Sequence, residues 1–221
     1  MNKIEFINSS KDFLTEEAYN ALRTNIIFCG ESIKTIAITS SFPNEGKSTV
    51  TRNLALNFAK AGKKVLFIDA DMRKSVTIGN INVDGETLGL SHFLSGQADV
   101  NDVICKVSNS ENLYAMLTGS FPPNPSELLS SKKFKDLIES MRNQFDYVIV
   151  DTPPVNAVID AAIIASVCDG AIIVVGAGKT RNKAVRTTKA QLEKANCHIL
   201  GAVLNGAQAN RDAYYNKYYG E

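Results

Sequence analysis

The chain has few residues of the kinds that build metal or disulfide sites. Its 221 residues include four cysteines, which lie far apart and form no CxxC pair, and only two histidines. These residues are Cys29, Cys105, Cys168, Cys197, His92 and His198. A zinc or iron–sulfur site is therefore not expected, and the cysteines are typical of a reduced, cytosolic protein.

An excess of one charge and long apolar runs are also absent. Lysine and arginine total 24 and aspartate and glutamate total 23, which gives a net charge of +1. This balance does not favour nucleic acid or an anionic membrane as the main partner. The first residues lack the apolar run of a secretory signal, and no stretch approaches the roughly 18 apolar residues that a membrane helix needs. Any membrane association is therefore expected to come through a partner.

Short apolar runs alternate with helical patterns along the chain. Runs typical of buried strands occupy 34–39, 64–68, 112–116, 147–150, 171–175 and 198–204. Patterns typical of helices occupy 15–28, 46–61, 88–94, 125–144, 160–167 and 181–195. With a hydrophobic content of 44%, this order predicts one globular domain built on a doubly wound, mostly parallel α/β sheet. Ligands bind such sheets beyond the carboxyl ends of the strands.

The segment 41–48, SFPNEGKS, lies between a predicted strand and a predicted helix. It matches the phosphate-loop pattern GxxxxGK[ST], except that Ser41 replaces the first glycine. Gly46 would let the backbone approach phosphates, Lys47 would neutralise the β- and γ-phosphates, and Ser48 would bind Mg²⁺. ATP contacts are predicted from Ser41, Phe42, Pro43, Asn44, Glu45, Gly46, Lys47, Ser48 and Thr49. The alternative, an ordinary turn with a chance GKS, is disfavoured by the flanking strand and long helix.

Two further predicted strands end in acidic residues. Asp69 and Asp71 follow one of them, and Asp151 follows the other. Each acid alone would be explained as a cap of the following turn. Together, beside a phosphate loop, they predict a magnesium site, because Mg²⁺ takes oxygen ligands and keeps several waters. The predicted metal ligands are Ser48, Asp69 and Asp151.

Four residues are predicted to act on the transferred phosphoryl group: Lys47, Asp69, Asp71 and Arg73. Asp69 is the candidate to accept a proton from an incoming hydroxyl, as well as to touch the metal. Arg73 would stabilise charge on the phosphoryl group or position the acceptor. The alternative for Arg73 is a local Asp–Arg surface pair of little energetic weight. Lys47 is expected to face solvent in the empty site.

Four of the seven tyrosines lie in the last eight residues: Tyr214, Tyr215, Tyr218 and Tyr219. The polar stretch 206–221 has no apolar periodicity, so these rings are not expected in the core. A phenol is a nucleophile that bound ATP could phosphorylate. An ATP site and a flexible string of acceptors therefore predict a kinase that phosphorylates its own tail. The alternative is an aromatic tail that docks on a partner.

Together these segments resemble the bacterial tyrosine kinases of capsule and exopolysaccharide synthesis, and more narrowly the soluble cytoplasmic subunit found in Firmicutes. The segment 41–48 is similar to the family's Walker A motif, and FIDADMR at 67–73 is similar to its Walker A′ motif. VDTPP at 150–154 resembles the Walker B motif, and PPNPSELL at 122–129 resembles a family segment between them. The tail resembles the family's autophosphorylated tyrosine cluster.

The resemblance implies an ATP- and Mg²⁺-dependent protein-tyrosine kinase that regulates polysaccharide synthesis and export. It implies activation at the inner face of the cell membrane by the cytosolic end of a transmembrane polysaccharide co-polymerase, and a cognate tyrosine phosphatase. It also implies a ring-like homo-oligomer in which one subunit's tail enters the next subunit's site. Phosphorylation of the tail is expected to loosen this ring.

Two residue assignments also come from the resemblance. The family's ExxRxxR ring-contact motif falls on Glu17, Asn20 and Arg23, with Asn20 in place of the middle arginine. Asn205, after the last predicted strand, falls where related ATPases contact adenine, and the alternative is a turn-forming Asn-Gly. The predicted domains are an N-terminal segment with the oligomerisation helix at 1–33, the ATPase and kinase domain at 34–205, and the tail at 206–221.

Two rival functions remain open. Partitioning and cell-division ATPases share this P-loop, ParA/MinD-like fold, but they carry a lysine directly after the first loop glycine, where this chain has Phe42. The chain could also be an ATP-switched scaffold that docks on a membrane protein through its tyrosines. A kinase leaves phosphate on tyrosine, whereas a scaffold needs only bound nucleotide.

Overall fold

The computed structural model describes residues 3–6, 13–75, 77, 81–83 and 87–207. The four tail tyrosines predicted as phosphoacceptors, Tyr214, Tyr215, Tyr218 and Tyr219, lie outside the described residues.

Helices and strands alternate over most of the described chain. The strands are β1 (Lys3–Phe6), β2 (Thr35–Ser40), β3 (Val65–Asp69), β4 (Ile81–Val83), β5 (Ile104–Val107), β6 (Leu113–Met116), β7 (Tyr147–Asp151), β8 (Gly170–Gly176) and β9 (Ile199–Asn205). The helices are α1 (Phe13–Phe28), α2 (Lys47–Lys60), α3 (Leu90–Leu94), α4 (Val100–Val103), α5 (Pro125–Ser130), α6 (Lys132–Gln144), α7 (Asp160–Ser166) and α8 (Asn182–Lys194).

Within the described part of the chain, the strands form one nine-stranded sheet in the order β4-β1-β5-β6-β3-β7-β2-β8-β9. Along this order, every neighbouring pair from β6 through β3, β7, β2 and β8 to β9 is parallel. The pairs β4–β1 and β5–β6 are antiparallel. Every residue of β2 and of β3 is buried, as expected of parallel strands that are covered on both faces. The predicted doubly wound α/β fold is confirmed.

Two apolar cores lie on opposite faces of the sheet. Ile36 and Ile38 of β2 point to the core that helices α1 and α2 cover, with Phe58 of α2 at its centre. Ala37, between them in the strand, points to the other core, which α3 and α5 to α8 cover. This alternation follows from the two-residue side-chain period of a strand. Helices on both faces leave the carboxyl ends of the central strands free to form a site.

The structure corrects the prediction of a single helix over 125–144. Ser131 interrupts it with an extended backbone, φ −68° and ψ 152°, so that α5 and α6 are separate helices. The Ser131 hydroxyl accepts a hydrogen bond from the Phe134 backbone N–H at 3.3 Å, which caps the N-terminus of α6. The four-residue strands β1 and β5, the three-residue strand β4 and the short helix α4 were not predicted, because such short segments show little periodicity.

Candidate active site

The segment between β2 and α2 has the backbone conformation of a tight anion-binding loop. Asn44 and Gly46 are both in the left-handed region, with φ of 64° and 88°. A Cβ atom on Gly46 would lie 1.9 Å from the Asn205 Nδ2 atom, so only glycine fits there. The 14-residue helix α2 begins at the next residue, and its first backbone N–H groups have no partners within the helix. These are the donor groups that the motif predicts to bind phosphates.

Glu45 holds this loop in place from inside the protein. Its buried carboxylate accepts hydrogen bonds from the Phe42 backbone N–H at 2.8 Å and from the Thr180 hydroxyl. Its backbone carbonyl accepts a 2.9 Å hydrogen bond from Asn205 Nδ2. Ser41 is also buried, with its hydroxyl 2.9 Å from that of Thr188. The Glu45 carboxylate and the Asn205 amide therefore brace the loop against the ends of β8 and β9.

Lys47 points into the protein rather than into solvent. Its side chain is 11% exposed, and its Nζ atom lies 3.2 Å from Asp71 Oδ2. The expectation that Lys47 faces solvent in the empty site is wrong, because the Asp71 carboxylate draws the ammonium group down against the end of β3.

Asp69 and Asp151 form a buried carboxylate pair at the ends of adjacent strands. They are register partners across β3 and β7, and their exposed fractions are 0% and 1%. Asp69 accepts hydrogen bonds from the Asp71 backbone N–H at 3.2 Å and from the Ser75 hydroxyl. Asp151 accepts one from the Thr51 hydroxyl at 3.3 Å. The sequence correctly predicted that these carboxylates meet at one edge of the sheet.

Burial dominates the electrostatics of this pair. It raises the pKa of Asp69 above its usual value, and hydrogen bonds from neighbouring hydroxyls offset only part of the effect. Burial also raises the pKa of Asp151, to about 7, while the Lys47 charge lowers it and the Asp69 carboxylate raises it further. Because the Asp69 carboxylate disfavours ionisation of Asp151, ionising both buried carboxyls is costly without a cation. The pair is therefore suited to bind a proton or a metal ion.

The donor set also fits Mg²⁺. The Ser48 side chain, at the start of α2, is near enough to Asp151 to lower the pKa of its carboxyl. Among the described residues, no three or more His, Cys, Asp or Glu side chains form a metal cluster. A magnesium ion here would take the Ser48 hydroxyl, one or both of the Asp69 and Asp151 carboxylates, phosphate oxygens and water as ligands, which is how Mg²⁺ commonly binds beside a nucleotide.

Arg73 has a partner that the sequence did not indicate. Its Nε and Nη2 atoms donate to the two carboxylate oxygens of Asp160 at 2.7 and 3.2 Å. Nη2 also donates to the Ser126 hydroxyl at 2.9 Å, and that hydroxyl donates to Asp160 Oδ1 at 2.6 Å. The alternative of a local pair with Asp71 is therefore wrong. The hydrogen bond with Asp160 raises the pKa of Arg73 above its already high value.

A cleft of about 400 Å³ lies over the loop and the end of β3. It is lined by Pro43, Asn44, Gly46, Lys47, Ser48, Thr49, Asp71, Arg73, Lys74, Pro153, Pro154, Ala157 and Val158. Most of the predicted ATP contacts lie in this wall, whereas Asp69 and Asp151 lie beneath it. Asn205 is not part of the wall, and its contact with adenine stays a prediction.

The residues predicted to contact a neighbouring subunit are hydrogen-bonded within the chain. Arg23 Nη1 donates to Asn57 Oδ1 at 2.8 Å, and Asn57 Nδ2 donates to Asn20 Oδ1 at 2.9 Å. Asn20 Nδ2 in turn donates to Glu17 Oε1 at 2.9 Å. This network joins α1 to α2, and the predicted role of Glu17 and Arg23 in an oligomer stays a prediction.

Comparison with known proteins identifies the family. Residues 33–199 match a family model described as an AAA domain. The tyrosine-protein kinase CpsD of Streptococcus agalactiae is 45% identical over 207 residues, which are 93% of this chain and 90% of CpsD. The chain belongs to the bacterial tyrosine kinase family. The predicted tyrosine kinase activity and the resemblance to Firmicutes proteins are thereby confirmed.

Solved structures of kinases have the same fold. The kinase domain of the Escherichia coli tyrosine kinase ETK is 36% identical and has a TM-score of 0.81, covering 89% of this chain and 78% of that domain. The chimerical protein CapA2B2 is 33% identical and has a TM-score of 0.84, covering 94% of each chain. MinD of Pyrococcus horikoshii OT3, 24% identical with a TM-score of 0.67 over 83% of this chain and 76% of its own, shares the fold alone. The kinase therefore has a P-loop ATPase fold.

The described residues contain no helix that is both long and apolar enough to span a membrane.

Proposed function

We propose that this kinase transfers the γ-phosphoryl group of ATP to its own tail tyrosines in the cleft above β2, β3 and β7. The phosphoacceptors are Tyr214, Tyr215, Tyr218 and Tyr219. One observation supports the proposal above the others: a phosphate loop, a lysine and a buried carboxylate pair converge at one edge of the sheet. Phosphoryl transfer needs such an arrangement, because the protein mainly positions the reactants and compensates negative charge.

The loop and Lys47 bind the phosphates in this proposal. The N-terminus of α2 provides the N–H groups, and Lys47 leaves Asp71 for the phosphate oxygens. Asp71 lines the cleft wall, so its carboxylate stays beside the reacting groups when the lysine moves.

Ser48, Asp151 and Asp69 would hold a magnesium ion in this proposal. The bound ion would neutralise charge on phosphate oxygens during transfer. The raised pKa of Asp151 falls when a cation is bound nearby, because the cation favours the ionised carboxyl. Metal binding would therefore relieve the unfavourable ionisation of the pair.

In the transfer, the tyrosine oxygen bonds to the γ-phosphorus, the bond to the β-phosphate oxygen breaks, and ADP leaves. The phenol proton goes to a carboxylate. Asp69 is the predicted acceptor, because burial makes it more basic than an exposed aspartate. Asp71 is a second candidate, because it lines the cleft whereas Asp69 lies beneath it.

A comparison of the variants Asp69→Asn and Asp71→Asn shows which of the two carboxylates accepts the phenol proton. If Asp69 takes the proton, Asp69→Asn lowers the transfer rate by about 100-fold and changes nucleotide affinity much less. The rate is measured as phosphotyrosine formed in a single turnover, and the affinity with a fluorescent ADP analogue. Equal losses in rate and affinity would show that Asp69 is only a metal ligand.

The cellular setting is also proposed. A transmembrane polysaccharide co-polymerase would recruit the kinase to the inner face of the cell membrane and activate it, and the kinase would regulate capsule or exopolysaccharide synthesis and export. The match to the chimerical protein CapA2B2 supports an activator that is a separate polypeptide, because a chimera joins parts of two proteins. A ring-like homo-oligomer and a cognate tyrosine phosphatase complete the proposal. Several phosphates on neighbouring tails would repel, since each adds roughly −1.5 to −2 charges at neutral pH.

Site-resolved mass spectrometry of the protein co-expressed with its membrane activator tests the proposal. Phosphate is expected on residues 214–219, and Lys47→Met should abolish it. Because Lys47 is buried beside Asp71, the unfolding temperature of the variant is measured as a control. An unmodified tail on a protein that binds Mg²⁺–ATP and its activator would contradict self-phosphorylation and favour acceptors elsewhere or a scaffold role.

A further inference from the structure

The contact between Arg73 and Asp160 has the geometry of a rigid clamp. Both oxygens of the carboxylate accept from one edge of the guanidinium, at 2.7 and 3.2 Å. Such two-point pairs fix the plane of the guanidinium as well as its position. The Ser126 hydroxyl bridges the same two groups, so three side chains form a closed hydrogen-bonded ring.

The clamp joins three segments that are far apart in the sequence. Arg73 follows the acidic turn after β3, Ser126 is in the first turn of α5, and Asp160 is the first residue of α7. Ser126 belongs to the segment 122–129, for which the phosphate loop and the carboxylate pair provide no role. The three segments meet at the rim of the cleft, which Arg73 lines.

The two ends of the clamp differ in exposure. The Asp160 side chain is 1% exposed, and the Arg73 side chain is 40% exposed. Arg73 is the cation that pairs with the buried Asp160 carboxylate, and breaking this pair would leave an unpaired charge inside the protein. Asp160 cannot reach substrate itself, because it is covered by the protein. Among the described residues, none accepts a hydrogen bond from Arg73 Nη1.

We propose that Asp160, helped by Ser126, is a positioning residue for tyrosine phosphorylation, which it serves by holding the Arg73 guanidinium at the cleft rim with Nη1 left for the phosphoryl group in transfer. The proposal rests on the proposed transfer in this cleft. Preorganised donors stabilise developing charge better than mobile ones, because they need no reorganisation during the reaction. A free arginine side chain with several rotatable bonds would lose this advantage.

The decisive variant is Asp160→Asn in the full chain, co-expressed with its activator. The amide keeps the size of the carboxyl but accepts only one hydrogen bond from the guanidinium edge. Single-turnover phosphotyrosine formation should slow by about 10- to 100-fold. The Kd for a fluorescent ADP analogue should change by less than about twofold, because Asp160 does not line the cleft.

A double-mutant cycle shows whether Asp160 acts through Arg73. Arg73→Gln should slow transfer at least as much as Asp160→Asn, and the double variant should be no slower than Arg73→Gln alone. Additive losses would overturn the proposal, since they would mean that the two residues act separately. A loss of nucleotide affinity equal to the loss of rate would also overturn it.

The chain offers a matched control in Arg142 and Asp169. Arg142 Nε lies 3.0 and 3.1 Å from the two carboxylate oxygens of Asp169, and neither residue lines the cleft. The Arg142 side chain is 35% exposed, close to the 40% of Arg73, although Asp169 is less buried than Asp160. Arg142→Gln should lower the unfolding temperature without slowing transfer. If it slowed transfer as much as Arg73→Gln, the effect would be one of stability rather than of position.

A second variant and a second readout decide the question if Asp160→Asn does not fold. Ser126→Ala leaves both charges in place and should slow transfer by about threefold at unchanged nucleotide affinity. In ¹⁵N NMR spectra of the empty protein, the Arg73 Nη2–H signals, whose partners include the Ser126 hydroxyl at 2.9 Å, should be protected from solvent exchange and lose part of that protection in Ser126→Ala. Unchanged transfer and exchange would overturn the proposal. If the wild-type protein itself left its tail unmodified, the proposed function would fail instead.

Discussion

The two ends of the central strands use aspartate in opposite ways. At the amino ends, Asp169 accepts hydrogen bonds from the Lys34 and Thr35 backbone N–H groups at 2.9 and 2.8 Å, and pairs with Arg142. At the carboxyl ends, Asp69 and Asp151 are more deeply buried, and no arginine or lysine forms a salt bridge with either among the described residues.

The pKa values show the same contrast. Burial raises the pKa of Asp169, but hydrogen bonds from Thr35, Lys34 and Arg142 outweigh that effect and lower the pKa overall. At the other end, burial wins and raises the pKa of Asp69 and Asp151. Asp169 receives backbone donors and a charged donor, Arg142, from the fold. Asp69 and Asp151 receive only uncharged donors, as expected of acids that a bound cation would neutralise.

The largest expected effect is at the carboxyl ends. Ser48→Ala should slow tail phosphorylation on the order of 100-fold, because the metal loses a ligand and metal ions contribute several kcal/mol to such reactions. The effect is measured as phosphotyrosine formed at increasing Mg²⁺ concentrations. Ser130→Ala, on the exposed side of α5, is the matched control and should have wild-type activity. Full activity of Ser48→Ala would contradict the magnesium site.

Asp151→Asn should separate stability from function. The raised pKa of Asp151 means that the folded protein keeps a proton which the unfolded chain releases above pH about 4. In the metal-free protein, the contribution of protonated Asp151 to the free energy of unfolding is therefore lost as pH rises from about 4 to about 7. The asparagine side chain carries no titratable proton, so the variant does not lose stability in this way. Its unfolding temperature should be about 5 °C above that of wild type at pH 8 and equal to it near pH 4.

With Mg²⁺–ADP added at pH 8, the wild-type protein should have a higher unfolding temperature than Asp151→Asn. The ligand stabilises the wild-type protein through its metal site and the variant less. Thermal unfolding across the pH range, with and without Mg²⁺–ADP, measures both effects. A variant that is less stable than wild type at pH 8 without ligand would show that Asp151 is a structural acid like Asp169.

Asp169→Asn should have the opposite profile. Its carboxylate has a lowered pKa, so it stabilises the fold above its unfolded pKa of about 3.8 and this stabilisation is lost as pH falls further. The variant should lose about 2 kcal/mol of unfolding free energy at pH 7, because two backbone donors lose a charged acceptor. Urea unfolding measures the loss. Phosphorylation of the tail should be unchanged, and slower transfer would break the contrast between the two ends.

The smallest expected effect is at Ser131, whose hydroxyl contacts Leu128 and Phe134 and neither set of acids. Ser131→Ala removes the cap of α6 and should cost about 1 kcal/mol of unfolding free energy, with no change in transfer rate. Ser131→Asp, which can still cap the helix, is the control and should retain most of the stability. Equal losses in both variants would show that the hydroxyl does not act as a cap.

The sequence predicted the features that depend on local pattern. Buried apolar runs identified the central strands, and the loop 41–48 was recognised from residue types at fixed spacing. The meeting of Asp69 with Asp151 followed from a general property of parallel sheets, whose carboxyl ends share one edge.

Features that depend on distant partners were not predicted. Nothing in the residues around Arg73 indicates that its carboxylate lies 87 positions away, and Glu45 gave no sign of its contact with Thr180. The burial of Lys47 was missed for the same reason, since it depends on where Asp71 points. Tertiary contacts decide such details, and a single sequence records them only as separate residues.

A crystal structure of this chain with Mg²⁺ and a non-hydrolysable ATP analogue would test the central claim most directly. We expect the phosphates on the backbone N–H groups of residues 41–48, the metal about 2.1 Å from Ser48 Oγ, and Lys47 Nζ moved from Asp71 to a phosphate oxygen. A nucleotide bound away from this loop, with Lys47 still paired to Asp71, would contradict the account.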